Sequence, residues 1–114
     1  MNTYGESKLM FARVLVWYGQ AYGISSIVLR YFNVAGASNR FGQDHRPATM
    51  LIPIVIRVAS GQAEYIPIFG TDYDTRDGTC IRDYIHVIDI ARAHILALDY
   101  LRNNKTYKAY NLGN

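Results

Sequence analysis

The sequence predicts an α/β fold built on a parallel sheet. Two helical patterns, at residues 4–21 and 87–101, each lead into a short apolar run, at 24–32 and 107–112. Helices alternating with strands in this way bring the strands together in parallel. The Ile27-Val28-Leu29 run has no polar alternation, the pattern of a strand covered on both faces. Helix, glycine turn and buried strand make half of a βαβ unit, whose first strand is expected before residue 1.

Each element has a local cause. Leu9, Ala12, Leu15 and Val16 recur at helical spacing, and Val14 and Tyr18 widen their apolar surface. Glu6, Lys8, Arg13 and Gln20 supply the polar positions, and Gly23 suits the helix stop. Residues 33–49 read as a long polar loop, of the kind that binds or links. A helix is expected over 50–60, with Pro53 in its first turn and Gly61 at its end. Tyr65, Pro67 and Phe69 alternate with Ile66 and Ile68, which predicts a short strand over 64–69. Asp72, Asp74 and Asp77, between Gly70 and Gly78, predict a turn-rich loop. A short extended piece follows at 79–84. The last helix sets Ile90, Ala91, His94, Ile95, Leu98 and Leu101 on one stripe, with His86 and Asp89 suited to cap it. No repeat, low-complexity segment or interdomain linker is visible.

Composition narrows the function classes. Half of the 114 residues are hydrophobic and 18% are charged, which is a globular balance and not a disordered one. The net charge of +3 comes from scattered arginines and lysines. Without a basic block, nucleic acid is not an expected partner, whereas a phosphate-bearing small molecule is compatible. The most apolar stretch, 51–59, is short and interrupted by Arg57, so no membrane span is expected. Residue 1 is followed by polar residues instead of a signal sequence. Cys80 is the only cysteine, which excludes an internal disulfide and fits a reducing, cytoplasmic setting. His45, His86 and His94 lack the spacing of a metal site, and the aspartates at 72, 74 and 77 lack the following Glu of a calcium loop.

Chemistry enters at Tyr4 and Lys8. Positions four apart share a helix face, so the lysine can reach the phenol or a ligand beside it. A free tyrosine titrates near about 10, and a neighbouring cation favours its phenolate. The pair is therefore a plausible device for taking a proton from a hydroxyl. Chance alone supplies about 0.3 such pairs in a chain of this composition, so the spacing by itself favours a helix N-terminus with a surface lysine.

The surrounding motifs decide between these readings. They are Tyr-Gly-x-Ser-Lys from Tyr4, Leu-Arg-Tyr-Phe-Asn-x-x-Gly-Ala from Leu29, and Leu-Ile-Pro from Leu51. The last is Phe-Gly-x-Asp-Tyr-x-Thr-x-Asp-Gly-Thr-Cys-x-Arg-Asp-Tyr-Ile-His-Val-x-Asp from Phe69. Together they resemble the extended short-chain dehydrogenase/reductase family, over residues 2–114. The segment Asp72, Tyr73, Thr75, Asp77, Gly78 and Thr79 resembles its sugar-nucleotide epimerases. The dehydratases and decarboxylases of the family tend to lack it.

The resemblance implies a Rossmann-type parallel sheet joined to part of a smaller α/β substrate-binding domain. Residues 1–34 would end the NAD-binding domain, and 35–114 would be mostly substrate-binding. It implies NAD as a tightly held cofactor, a UDP-sugar as substrate and a homodimeric parent enzyme. Tyr4 looks like the base that takes the proton from the sugar 4-hydroxyl while hydride leaves C4. Lys8 looks like its tuning residue and the holder of the nicotinamide ribose. Tyr31 and Phe32 would line the nicotinamide side. Asn33 and Arg82 would meet the diphosphate, Met50, Leu51 and Ile52 the nucleotide, and Pro67, Ile68 and Phe69 the uracil. The keto sugar would then turn on its UDP anchor and take hydride back on the other face.

The sequence departs from the family pattern in three places. No G-x-G-x-x-G or G-x-x-G-x-x-G opens a helix, the family's Ser or Thr is expected upstream of Tyr4, and Met50 stands where relatives often carry Asn or His. An internal portion of an epimerase is the expected identity. A non-catalytic chain that at most binds a UDP-sugar is the alternative.

Overall fold

The computed structural model describes residues 2–44 and 47–114. His45 lies outside them. The elements are α1 (Thr3–Tyr22), β1 (Ser26–Tyr31), β2 (Asn33–Ala35), α2 (Leu51–Ala59), β3 (Tyr84–His86), α3 (Val87–Asn103) and β4 (Tyr107–Leu112). Asn2 caps α1 by accepting from the Gly5 N–H at 2.8 Å. Such a cap contributes about 1 kcal/mol. Gly23 ends the helix in the left-handed region, with φ 68°, and donates its N–H to the Gly19 carbonyl.

The expected parallel pairing forms twice. β1 pairs with β4 in a register running from Ser26↔Tyr107 to Tyr31↔Leu112. β2 pairs with β3 from Asn33↔Tyr84 to Ala35↔His86. Each sheet has two strands, so every strand keeps one open edge. Lys108 ties β4 to α3, donating to the Tyr100 hydroxyl at 2.7 Å with its ammonium 4.7 Å from the ring centroid. Gly36, with φ 87°, ends β2 where the His86 ring occupies the space a Cβ would need. His86 itself caps α3 as expected, its Nδ1 accepting from the Ile88 N–H at 3.2 Å.

Five expectations are corrected. Residues 64–69 form no strand. Pro67 removes a donor from the middle of the run, and among the described residues no strand pairs with it. The extended piece expected at 79–84 becomes a strand only from Tyr84, and the expected loop at 33–49 opens with β2. The Ile27-Val28-Leu29 run is half-buried instead of covered on both faces. The packed face of α3 runs through Ile90, Ala93, Ala97 and Leu101, while Ile95 and Leu98 stay 60% and 63% exposed. Small alanines let the helix approach the sheet, so packing turns the stripe away from its largest residues.

Among the described residues only Ala12, Ile85 and Ile90 are buried apolar side chains. The radius of gyration is 18.3 Å, against about 13 Å for a compact domain of this length. Apolar faces of α1, α2 and α3 therefore remain open to solvent. Among the described residues, no helix is long and apolar enough to cross a membrane.

A domain of this length with a closed core unfolds with an enthalpy of about 80 kcal/mol at about 60 °C. Scanning calorimetry of the 114-residue chain is expected to give a broad transition with well under half that heat. A sharp transition carrying the full enthalpy would show that these faces close on one another.

Candidate active site

Tyr4 and Lys8 stand in the first turns of α1. The Lys8 ammonium lies 5.1 Å from the Tyr4 ring centroid, within cation–π reach. Both side chains are exposed, Tyr4 to 70%, so a ligand can approach phenol and ammonium together. The spacing has thus become a contact, as the i, i+4 geometry requires.

Asn33 and Arg82, far apart in sequence, are brought together. Asn33 follows β1, and both its backbone N–H and its side-chain amide donate to the Asp83 carbonyl, at 3.1 and 2.8 Å. Arg82 is the residue immediately before Asp83. It is exposed, and no ion pair among the described residues involves it. Its guanidinium is therefore available to an anion.

The remaining expected site residues lie apart from this pair. Met50 is the N-cap position of α2 and makes no side-chain cap, since a thioether cannot accept as a carboxylate does. Leu51 and Ile52 follow it on the exposed first turn. Pro67, Ile68 and Phe69 lie in an irregular exposed segment, with Phe69 93% exposed. Tyr31 ends β1 with its ring 6.4 Å from that of His94, edge to face. Phe32 is exposed beside it. Among the described residues, no hydrogen bond or ring contact joins these residues to Tyr4, Lys8 or Arg82.

Sequence reasoning missed Asp83, Gly113 and Asn114. The Asp83 carboxylate accepts from the Asn114 N–H at 3.2 Å, and the Asn114 side chain donates to the Tyr84 carbonyl at 2.8 Å. These contacts link residues about thirty positions apart, beyond the reach of any local spacing. The nearest signal was the Arg-Asp-Tyr run itself.

The aspartate-rich loop is a turn held by its own side chains. Asp77 accepts from the Thr79 N–H at 2.9 Å and from the Thr79 hydroxyl at 2.8 Å. Thr75 donates its hydroxyl to the Thr79 carbonyl at 2.6 Å. Among the described residues, no group of His, Cys, Asp or Glu is arranged to hold a metal ion.

The sequence pattern of the NAD-dependent epimerase/dehydratase family matches residues 1–113. This chain belongs to that family. The epimerase/dehydratase chain is 53% identical to a UDP-glucose 4-epimerase of Halalkalibacterium halodurans over 99% of its own length and 34% of the relative's. The UDP-glucose 4-epimerase of Brucella ovis, solved in complex with NAD, superposes with a TM-score of 0.87 at 46% identity, over 99% of this chain and 35% of that one. The enzyme of Bifidobacterium longum, solved with NAD+ and UDP, gives 0.86 at 39% identity, over 98% and 34%. The chain thus spans about a third of the length of the relatives it matches. The Rossmann-type fold class expected from the sequence is shared with these neighbours.

In this epimerase/dehydratase segment the Asp77 turn is open to a direct test. The Thr79 N–H and then the Thr79 hydroxyl hold the Asp77 carboxyl below its usual 3.8. A lowered carboxylate stabilises the turn above the unfolded value, and that contribution is lost as pH falls through the folded one. Carboxyl NMR titration is expected to place the Asp77 midpoint below 3.8, and Thr79→Val is expected to raise it. A midpoint at or above 3.8 in the unmodified chain would contradict this assignment.

Proposed function

We propose that this chain is the segment of a UDP-glucose 4-epimerase that carries the proton-transferring base and much of the UDP site. What carries the reading is the Tyr4–Lys8 contact, standing inside a 53% match to a protein of that name. Residues 1–34 then belong to the NAD-binding domain, and 35–114 mostly to the substrate region. The reading implies interconversion of UDP-glucose and UDP-galactose in cytoplasmic galactose metabolism. A lone cysteine and a scattered basic charge agree with that setting.

The residues fit the nicotinamide end of NAD. An exposed ammonium with three donors stands beside an exposed phenol, as a ribose diol next to a reacting hydroxyl requires. Lys8 and Tyr4 would hold that end, with Tyr31 and Phe32 flanking the ring. NAD, when bound, supplies the hydride acceptor that also returns hydride to C4.

Tyr4 exchanges the proton of the sugar 4-hydroxyl through its phenol oxygen. Lys8 orients that phenol from the adjacent turn of α1. Arg82 offers two parallel N–H donors to diphosphate oxygens, the pairing that a planar guanidinium makes best. Asn33 has two amide hydrogens, and the one not given to Asp83 can meet the same diphosphate. Phe69 presents a bare ring for uracil, supported by Pro67 and Ile68, while Met50, Leu51 and Ile52 give apolar contact to the nucleotide.

The small core favours a second reading for the 114-residue chain by itself, namely UDP-sugar binding without turnover. Both readings are tested by exchanging the matching third of the Halalkalibacterium halodurans relative for this chain. The chimera is expected to convert UDP-galactose to UDP-glucose, and the 114 residues alone are not. No conversion by a folded chimera sinks the epimerase reading, and a 4-keto-6-deoxy product would replace it with dehydration. In the chimera, Tyr4→Phe is expected to lower kcat by about 10²–10⁴-fold with UDP affinity unchanged.

Arg82→Ala is expected to weaken UDP binding by about tenfold or more, as read by calorimetry on the same chimera. Unchanged UDP affinity would remove Arg82 from the site.

A further inference from the structure

Arg82 closes an irregular stretch that starts after the Asp77 turn and ends at β3. Ile81, its neighbour, is 82% exposed. A long side chain on such a stretch has many conformers to lose when it grips an anion. Something must hold the backbone at 82 if Arg82 is to bind well.

The peptide just beyond Arg82 is gripped from both sides. On one side Asn33 gives the Asp83 carbonyl two hydrogen bonds, from residue separations of 50. On the other, Asp83 uses its carboxylate to accept the Asn114 N–H, and Asn114 donates back to the Tyr84 carbonyl. The carboxylate lies against Gly113, so closely that a Cβ there would collide with it. Gly113 is therefore a close-approach glycine, which fixes where the carboxylate can be.

The position of this grip is informative. Asn33 lies just past the carboxyl end of β1 and Asn114 just past that of β4. Ligands of open parallel sheets bind outside those ends. The Asp83 carboxylate is turned to a backbone N–H and makes no ion pair with the guanidinium next to it. Its charge is used to anchor the backbone, and Arg82 keeps its own for a ligand.

We propose that Asp83 is the positioning residue of the diphosphate end of the site. Through Asn114 and Gly113 on one side and Asn33 on the other, it sets Arg82 and Asn33 in the register that a nucleoside diphosphate needs. The proposal rests on the reading of Arg82 and Asn33 as diphosphate contacts.

The test compares UDP with uridine, which lacks the diphosphate, titrated by NMR into the full chain. The unmodified chain is expected to prefer UDP by about tenfold or more. Arg82→Ala is expected to abolish the preference. Asp83→Ala is expected to lower UDP affinity to near that of uridine while leaving uridine unchanged. Asp83→Asn keeps an acceptor for the Asn114 N–H and is expected to restore most of the preference. If the unmodified chain does not prefer UDP, the diphosphate site itself is wrong, and the positioning role falls with it. If it prefers UDP and Asp83→Ala does too, only the positioning role is overturned. Loss of uridine and UDP affinity in parallel would show a general structural role and overturn it equally.

Discussion

The grip on the Asp83–Tyr84 peptide is the joint between two sheets that could not stand separately. A two-stranded sheet is marginal in water, and this chain has two of them. β2 and β3 start where β1 and β4 end. Asn33 and Asn114 bridge the step by hydrogen bonds, one of them to a carboxylate. Neutral hydrogen bonds of this kind are worth about 1 kcal/mol each, and a charged acceptor raises that to about 1.5–3. Among the described residues only three apolar side chains are buried, so such directed contacts add order to a small core.

The same joint explains why chemistry-bearing groups gather where they do. A parallel strand delivers its last residues to one rim, and here two strands deliver an asparagine each. Arg82 arrives at that rim from the other direction, at the entry to β3. Tyr4 and Lys8 form a separate unit, kept together by one helical turn and needing nothing from the sheets. On the proposed reading the chain therefore carries two pieces of a site, one for proton transfer and one for an anion, on different elements.

What could be read in advance divides along the range of the interactions. The helices, the glycine stop at Gly23, the Tyr4–Lys8 contact and the His86 cap all rest on neighbours within about four residues, and all are present. The alternation at 64–69 suggests a strand, but Pro67 has no N–H to give a ladder. The packed stripe of α3 follows side-chain size more than hydrophobicity. Ala93 and Ala97 face the sheet because they are small, while Ile95 and Leu98 are left outside. Asp83 was invisible because its partners stand 50 and 31 positions away, and nothing in its own neighbourhood differs from a surface aspartate.

The pairing of β1 with β4 has a kinetic side. Ser26 and Tyr107 meet across the entire polar loop, α2, the Asp77 turn and α3. Synthesis proceeds at about 5–20 residues per second, so β1 leaves the ribosome roughly 4–16 s before its partner exists. Through that interval the edge of Ile27-Val28-Leu29 that β4 later covers stays unpaired, an apolar edge of the kind that recruits other chains. The parallel register that organises the native rim is thus also a point at which the nascent chain is exposed to aggregation. A chaperone that shields residues 26–31 through that interval would guard the pairing with β4.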